Sequence, residues 1–109
     1  MAVIYLASPY SHINRVIRQQ RFEEACRIAA TLIQEGHIVF CPVAYSHTLA
    51  TIGKLPGDWG FWEKFDMEFL LRSDKLVVAQ MDGWRESVGV SREIEIAREN
   101  GIPVEFLKV

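Results

Sequence analysis

The stretch "AVIYLASPYSH" (2–12) decides the fold. Residues 2–7 are apolar, β-branched or aromatic without a break, and they give way at once to small and polar residues and a proline. An unbroken apolar run, unlike one that alternates with polar residues, reads as a strand covered on both faces, which is the habit of strands inside a parallel sheet. "KLVVAQM" (75–81) repeats the pattern, and "HIVFCP" (37–42) and "PVEFLKV" (103–109) are the other candidate strands.

Between these runs the period changes. From Arg15 to Glu35, Phe22, Ala25, Cys26, Ala29, Leu32 and Ile33 recur at helical spacing, opposite Arg18, Gln19, Glu23 and Arg27, and Gly36 is a natural stop. "FWEKFDMEFLLRS" (61–73) keeps helical spacing through Phe61, Trp62, Phe65, Phe69 and Leu70. "VSREIEIAREN" (90–100) is a third helix, ended by Gly101. Residues 43–60 show no period and carry Gly53, Pro56, Gly57 and Gly60, so they read as a long loop closing over a binding edge. The resulting order, β-α-β-α-β-α-β, predicts one α/β domain over 1–109. It is a doubly wound parallel sheet of flavodoxin or Rossmann type, with strand order 2-1-3-4. Ligands bind such sheets beyond the carboxyl ends of the strands where the order reverses. Here those are the loops "ASPYSH" and "DGWRESVG".

Composition narrows the function. Of 109 residues, 50% are hydrophobic, enough for a packed interior, and the net charge of −2 speaks against a duplex nucleic-acid surface. No apolar run is long enough for a membrane span, and residues 1–7 lack a signal-peptide pattern. Cys26 and Cys41 form no C-x-x-C pair, which fits free thiols in the cytoplasm. A small domain without staples is expected to form a homo-oligomer.

The common cofactor motifs fail. "TIGKLPG" (51–57) lacks the first glycine and the closing Ser or Thr of a phosphate loop, and no G-x-G-x-x-G follows the first strand. His12, His37 and His47 have no metal-ligand spacing, so neither metal nor organic cofactor is expected. His12 and His47 both follow strand ends and are expected to face one another. "YSH" occurs at 10–12 and 45–47, too short to count as a repeat.

Four side chains converge on the predicted edge. Glu93 falls near the start of the third helix, where an acid merely complements the helix dipole or is held ionised as a nucleophile. Tyr5 lies in the first strand, as core packing or as a hydrogen-bond partner for a carboxylate. Asp66 interrupts an aromatic helix face, as a solvated charge or a second acid. Ser87 is a helix N-cap or a phosphate contact.

Their order along the chain resembles the nucleoside 2-deoxyribosyltransferase-like family, including the 2′-deoxynucleoside 5′-phosphate N-hydrolases. The resemblance rests on "IYLASP" (4–9), on "DMEFLLRSD" (66–74) running into "KLVVAQMD" (75–82), and on "SVGVSREIEIA" (87–97) before a glycine and "PV". It implies Glu93 as nucleophile toward C1′ of the sugar, Asp66 handling the proton of the departing base, and Tyr5 orienting Glu93. Ser87 stands where the monophosphate hydrolases carry serine and the transferases aspartate, which favours a nucleotide over a nucleoside. Ser8 replaces a usual glycine, and Pro9 and Ser11 stand where the hydrolases use serine and arginine toward phosphate. His12, Arg15 or His47 would then supply phosphate contacts. Ser8, Pro9, Tyr10, His12, His47, Trp59, Ser87 and Gly89 are the expected substrate contacts, with Trp59, Trp62 or Tyr45 stacking on the base. The expectation is an N-glycosidic bond-cleaving enzyme acting on a small nucleoside or nucleotide. The rival readings are a non-catalytic nucleotide-binding or sensing domain and a plain interaction module.

Overall fold

In the computed structural model, which describes residues 2–109, the first apolar run becomes the central strand β1 (Val3–Ala7). It pairs with β2 (Ile38–Phe40) on one side and β3 (Lys75–Ala79) on the other, with β4 (Val104–Leu107) beyond β3. Every pairing is parallel and the order is β2-β1-β3-β4, as the sequence predicts.

Successive strand residues point to opposite faces, and that alternation divides the core. Ile4 and Leu6, with Val77 and Ala79, pack against Ala25 and Ala29 of α1 (Arg15–Gln34) and against Val43 of α2 (Pro42–Gly53). Tyr5 and Ala7, with Leu76 and Val78, pack against Leu70 of α3 (Trp59–Leu71) and against Val90, Ile96 and Ala97 of α4 (Val88–Glu99). Full burial of each large side chain stabilises the fold by roughly 1.5–3 kcal/mol, so the sheet needs both layers. Asn14, Asp58 and Ser87 cap α1, α3 and α4 by accepting from Val16, Phe61 and Val90 N–H groups. Gly36 and Gly101, at φ of 97° and 70°, follow α1 and α4 in the left-handed conformation that only glycine adopts freely.

Residues 43–60 differ from the expectation. Pro42–Gly53 forms α2, and only the short piece before Trp59 is irregular, so the element order is β-α-β-α-α-β-α-β. Pro42 opens the helix, where a fixed φ and a missing N–H cost nothing. The helix buries little beyond Pro42 and Val43, while Leu49 and Ile52 are 41% and 79% exposed. A helix that buries mainly its first turn has no apolar stripe to read. In α3 the buried stripe is Trp62, Asp66 and Leu70, whereas Phe65 and Phe69 lie partly exposed. Among the described residues no helix is long and apolar enough to cross a membrane.

Asp74 clamps the sheet at its start: Val3 N–H donates to its carboxylate at 2.7 Å, and its own N–H donates to Val3 C=O at 2.9 Å. Asp74→Ala should lower unfolding stability by roughly 1–2 kcal/mol, read from urea denaturation, because the side-chain bond is lost. An unchanged midpoint would show that this clamp contributes nothing.

Candidate active site

Strand alternation turns Tyr5 toward the α3–α4 layer, and the two acids meet it there. Asp66 sits between Trp62 and Leu70 on the buried stripe of α3. Glu93 shares the inward face of α4 with Val90, Ile96 and Ala97. Because α4 begins at Val88, Glu93 is in the second turn and not at the helix mouth as the sequence reading had it. Tyr5 is fully buried, and Glu93 and Asp66 are only 4% and 7% exposed. The Tyr5 hydroxyl donates a short hydrogen bond to Glu93 Oε2.

Burial governs the protonation of this trio. It pushes the Glu93 carboxyl up to about 8; the Tyr5 hydrogen bond pulls it back and the charge of Asp66 pushes it further. Burial likewise carries Asp66 to about 7. The Tyr5 phenol is raised well above its usual range by burial, then by Glu93 and Asp66, so it keeps its proton. The expected ionisation of Glu93 by the helix field is therefore overturned. That field is worth about 1 kcal/mol within the first turn, under one unit of pKa, against several units for desolvation.

Asp66 and Glu93 open onto a cleft of about 190 Å³ beyond the strand ends, walled by Ser8, Ser46, Trp59, Trp62, Ser87 and Gly89. Ser8 Oγ and Asp66 Oδ1 are buried there without a hydrogen-bond partner among the described residues. Each such group costs roughly 1–3 kcal/mol, a cost that a bound polar ligand would remove. Ser87 both caps α4, accepting from Val90 N–H at 3.2 Å, and lines the cleft. The Trp59 indole leans on Gly89, where an added Cβ would lie 3.2 Å from Cε3. Trp62 is tied by its Nε1–H to Pro56 C=O at 2.7 Å. A second, outer hollow of about 460 Å³ adjoins the first, sharing Tyr10, Ser11, Gly57 and Asp58, and is lined by His12, Arg15, Arg18 and His47.

The expected contacts therefore divide. Ser8, Trp59, Ser87 and Gly89 line the cleft with the two acids, Tyr10 borders both hollows, and His12 and His47 line the outer one. Pro9 is fully buried and lines neither hollow, so its assignment as a contact is withdrawn. His12 and His47 do not bond one another. His12 Nδ1 accepts from Asn14 N–H at 2.9 Å, while His47 pairs with the Tyr10 hydroxyl at 2.7 Å and stacks on Phe22 at 4.0 Å. Tyr45 packs with Phe40, Trp62 and Phe69 outside the cleft lining. Ser46 and Arg18 escaped the sequence reading. The doubled "YSH" was the available signal, since Ser11 and Ser46 line the cleft and His12 and His47 the outer hollow. Among the described residues no group of three or more His, Cys, Asp or Glu side chains is placed to hold a metal ion.

A four-stranded parallel sheet of order 2-1-3-4 with an acidic cleft at its strand ends places this chain in the doubly wound α/β class. The chain belongs to the family described as Domain of unknown function (DUF1937), which matches residues 2–108. Its fold is similar to that of the 2-deoxyribosyltransferase from the psychrotolerant bacterium Bacillus psychrosaccharolyticus. The TM-score is 0.68 at 24% identity, over 98% of this chain and 72% of that one. The resemblance read from the sequence is thus borne out at the level of the fold. No curated protein matches the chain.

The buried acid has a measurable cost. The Glu93 carboxyl ionises near 4.5 when exposed and near 8 in the fold. Between those values the unfolded chain holds fewer protons than the folded one, so stability falls as pH rises. Glu93→Gln, which can still accept from Tyr5, should match the parent near pH 4 and exceed it by about 3 kcal/mol at pH 7. Coincident denaturation curves at pH 7 would contradict the raised acid.

Proposed function

We propose that this chain cleaves the N-glycosidic bond of a nucleoside or nucleoside 5′-monophosphate, with Glu93 as nucleophile. The observation that carries the reading is the pair of buried acids, Glu93 and Asp66, lining one open cleft, with Tyr5 bonded to Glu93 from behind. Two carboxyls flanking a glycosidic bond, one to attack and one to move a proton, is the arrangement of retaining glycosidases.

The Glu93 carboxylate attacks C1′, the C1′–N bond breaks, and its electron pair goes to the base nitrogen, which takes the proton of Asp66. This leaves a glycosyl ester on Glu93. Water then attacks C1′, gives its proton to the Asp66 carboxylate, and releases Glu93; a second base in place of water would give transfer. Tyr5 holds Glu93 Oε2 in place through the hydroxyl bond. Trp59 offers the base a flat wall, Ser8 Oγ a polar contact deep in the cleft, and Ser87 and Gly89 a place for the 5′ group at the start of α4. No metal or organic cofactor enters these steps.

Burial raises both carboxyls, to about 7 and about 8, and they share one cleft, so the reactive form, with Asp66 protonated and Glu93 ionised, is one singly protonated state of a coupled pair. The raised Glu93 carboxyl also favours one rival, a nucleotide-binding or sensing domain in which Glu93 stays neutral and nothing turns over. Incubation with a panel of nucleosides and 5′-monophosphates, reading free base by chromatography, separates the two. Base should appear with the parent chain, and Glu93→Gln should lower its rate roughly 1000-fold or more. Equal rates would end the nucleophile assignment, and no base from any substrate would favour the sensor.

The pH profile gives a second check. kcat/KM should be bell-shaped with its maximum between about 7 and 8, where the two carboxyls titrate. Tyr5→Phe removes the bond that holds the Glu93 carboxyl down, so the optimum, midway between the two carboxyls, should move to higher pH and fall in height. An optimum left in place would remove Tyr5 from this role.

A further inference from the structure

The outer hollow carries a charge that the glycosidic reaction does not use. Arg15 makes no hydrogen bond or ion pair among the described residues, and Arg18 donates to the carbonyls of His12 and Ile13 and lies against the Tyr10 hydroxyl. Two guanidinium charges thus stand without a carboxylate partner, in a chain whose net charge is −2. Asp58 is the acid of the lining, and its carboxylate is engaged as the cap of α3, accepting from Phe61 N–H at 3.2 Å. Gln19 donates to Glu23 at 2.9 Å and leaves the arginines unopposed. His47, with its affinity for a proton lowered by burial and by the charge of Arg18, pairs with Tyr10 beside them.

The wall of this hollow is also held in advance. Arg21 donates to Ser11 C=O at 2.8 Å while Arg18 holds the next two carbonyls, so the loop between β1 and α1 is pinned from α1. Tyr10 and Ser11 of that pinned loop form the boundary with the deep cleft. A ligand leaving the cleft past Tyr10 therefore enters a preformed basic space larger than the one it left, about 460 against 190 Å³. Guanidinium groups bind phosphate through paired N–H donors, and unneutralised ones do so without first breaking an ion pair.

We propose that the outer hollow is a second anion subsite, so that the ligand is a nucleotide carrying a 5′-diphosphate. This rests on the functional reading above for the sugar and the first phosphate, which lie along Glu93 and the start of α4, and adds the second phosphate beside Arg15, Arg18 and His47. A single phosphate is served at Ser87 and Gly89 and gives the two arginines nothing to bind.

The test measures binding by calorimetry to the Glu93→Gln chain, comparing the mono- and diphosphate of one nucleoside. The diphosphate should bind about tenfold tighter at low salt, an advantage that shrinks as salt is raised. Arg15→Gln, an exposed change that removes the charge and disturbs no contact, should abolish that advantage and weaken monophosphate binding less than diphosphate binding. Inorganic pyrophosphate should raise the His47 pKa seen by NMR in the parent chain, and less so after Arg18→Lys. Equal affinity for mono- and diphosphate, or equal weakening of both by Arg15→Gln, would overturn the subsite. A diphosphate preference with no base released would keep the subsite and sink the reaction. Base released without that preference would do the opposite.

Discussion

A phenol and a carboxyl that meet at the buried end of the cleft are the constraint on which the candidate site depends. Tyr5 can reach Glu93 only because the central strand alternates its side chains and the phase of α4 turns the sixth residue of that helix inward. Shifting β1 by one residue would send Tyr5 into the opposite layer, with Ala25 and Ala29, and leave Glu93 alone. The sheet register, Tyr5 opposite Phe40 and Leu76, is therefore as much a part of the site as the acids themselves.

The energetic balance follows from that placement. Two carboxyls buried at the edge of a small core oppose folding, and both lie on helix stripes whose other members are apolar: Trp62 and Leu70 beside Asp66, and Val90, Ile96 and Ala97 beside Glu93. Those neighbours, with residues 4–7 of β1 and 76–79 of β3, supply the apolar burial that offsets the acids. The same burial keeps their protons on at pH values where surface carboxyls have lost them. Stability is given up at the place where the proposed reaction would use a poised proton.

How much of this was legible in the chain depends on where each signal came from. The strands β1 and β3 were readable because burial on two faces leaves an uninterrupted apolar run, and the order 2-1-3-4 followed from their alternation with helices. The α2 helix was not, since a helix that buries mainly Pro42 and Val43 leaves no periodic mark, and its proline imitates a stop. Glu93 was found but misplaced by part of a turn, because Ser87 as cap and Val88 as first residue extend α4 beyond the apolar pattern that began at Val90. Its ionisation was misjudged for a related reason: a sequence shows a helix beginning but not the depth at which a side chain is buried. Pro9 was credited with a contact because it sits in the right loop, though it packs inside.

The contact between Trp59 and Gly89 bears on how the rim of this cleft can diverge among descendants. The first residue of α3 sets its ring so close that a methyl group on the second residue of α4 would lie 3.2 Å from Cε3, and the ring would have to give by a few tenths of an ångström. A lineage that gains a side chain at 89 is therefore expected to adjust the ring at 59, so the two sites should vary together.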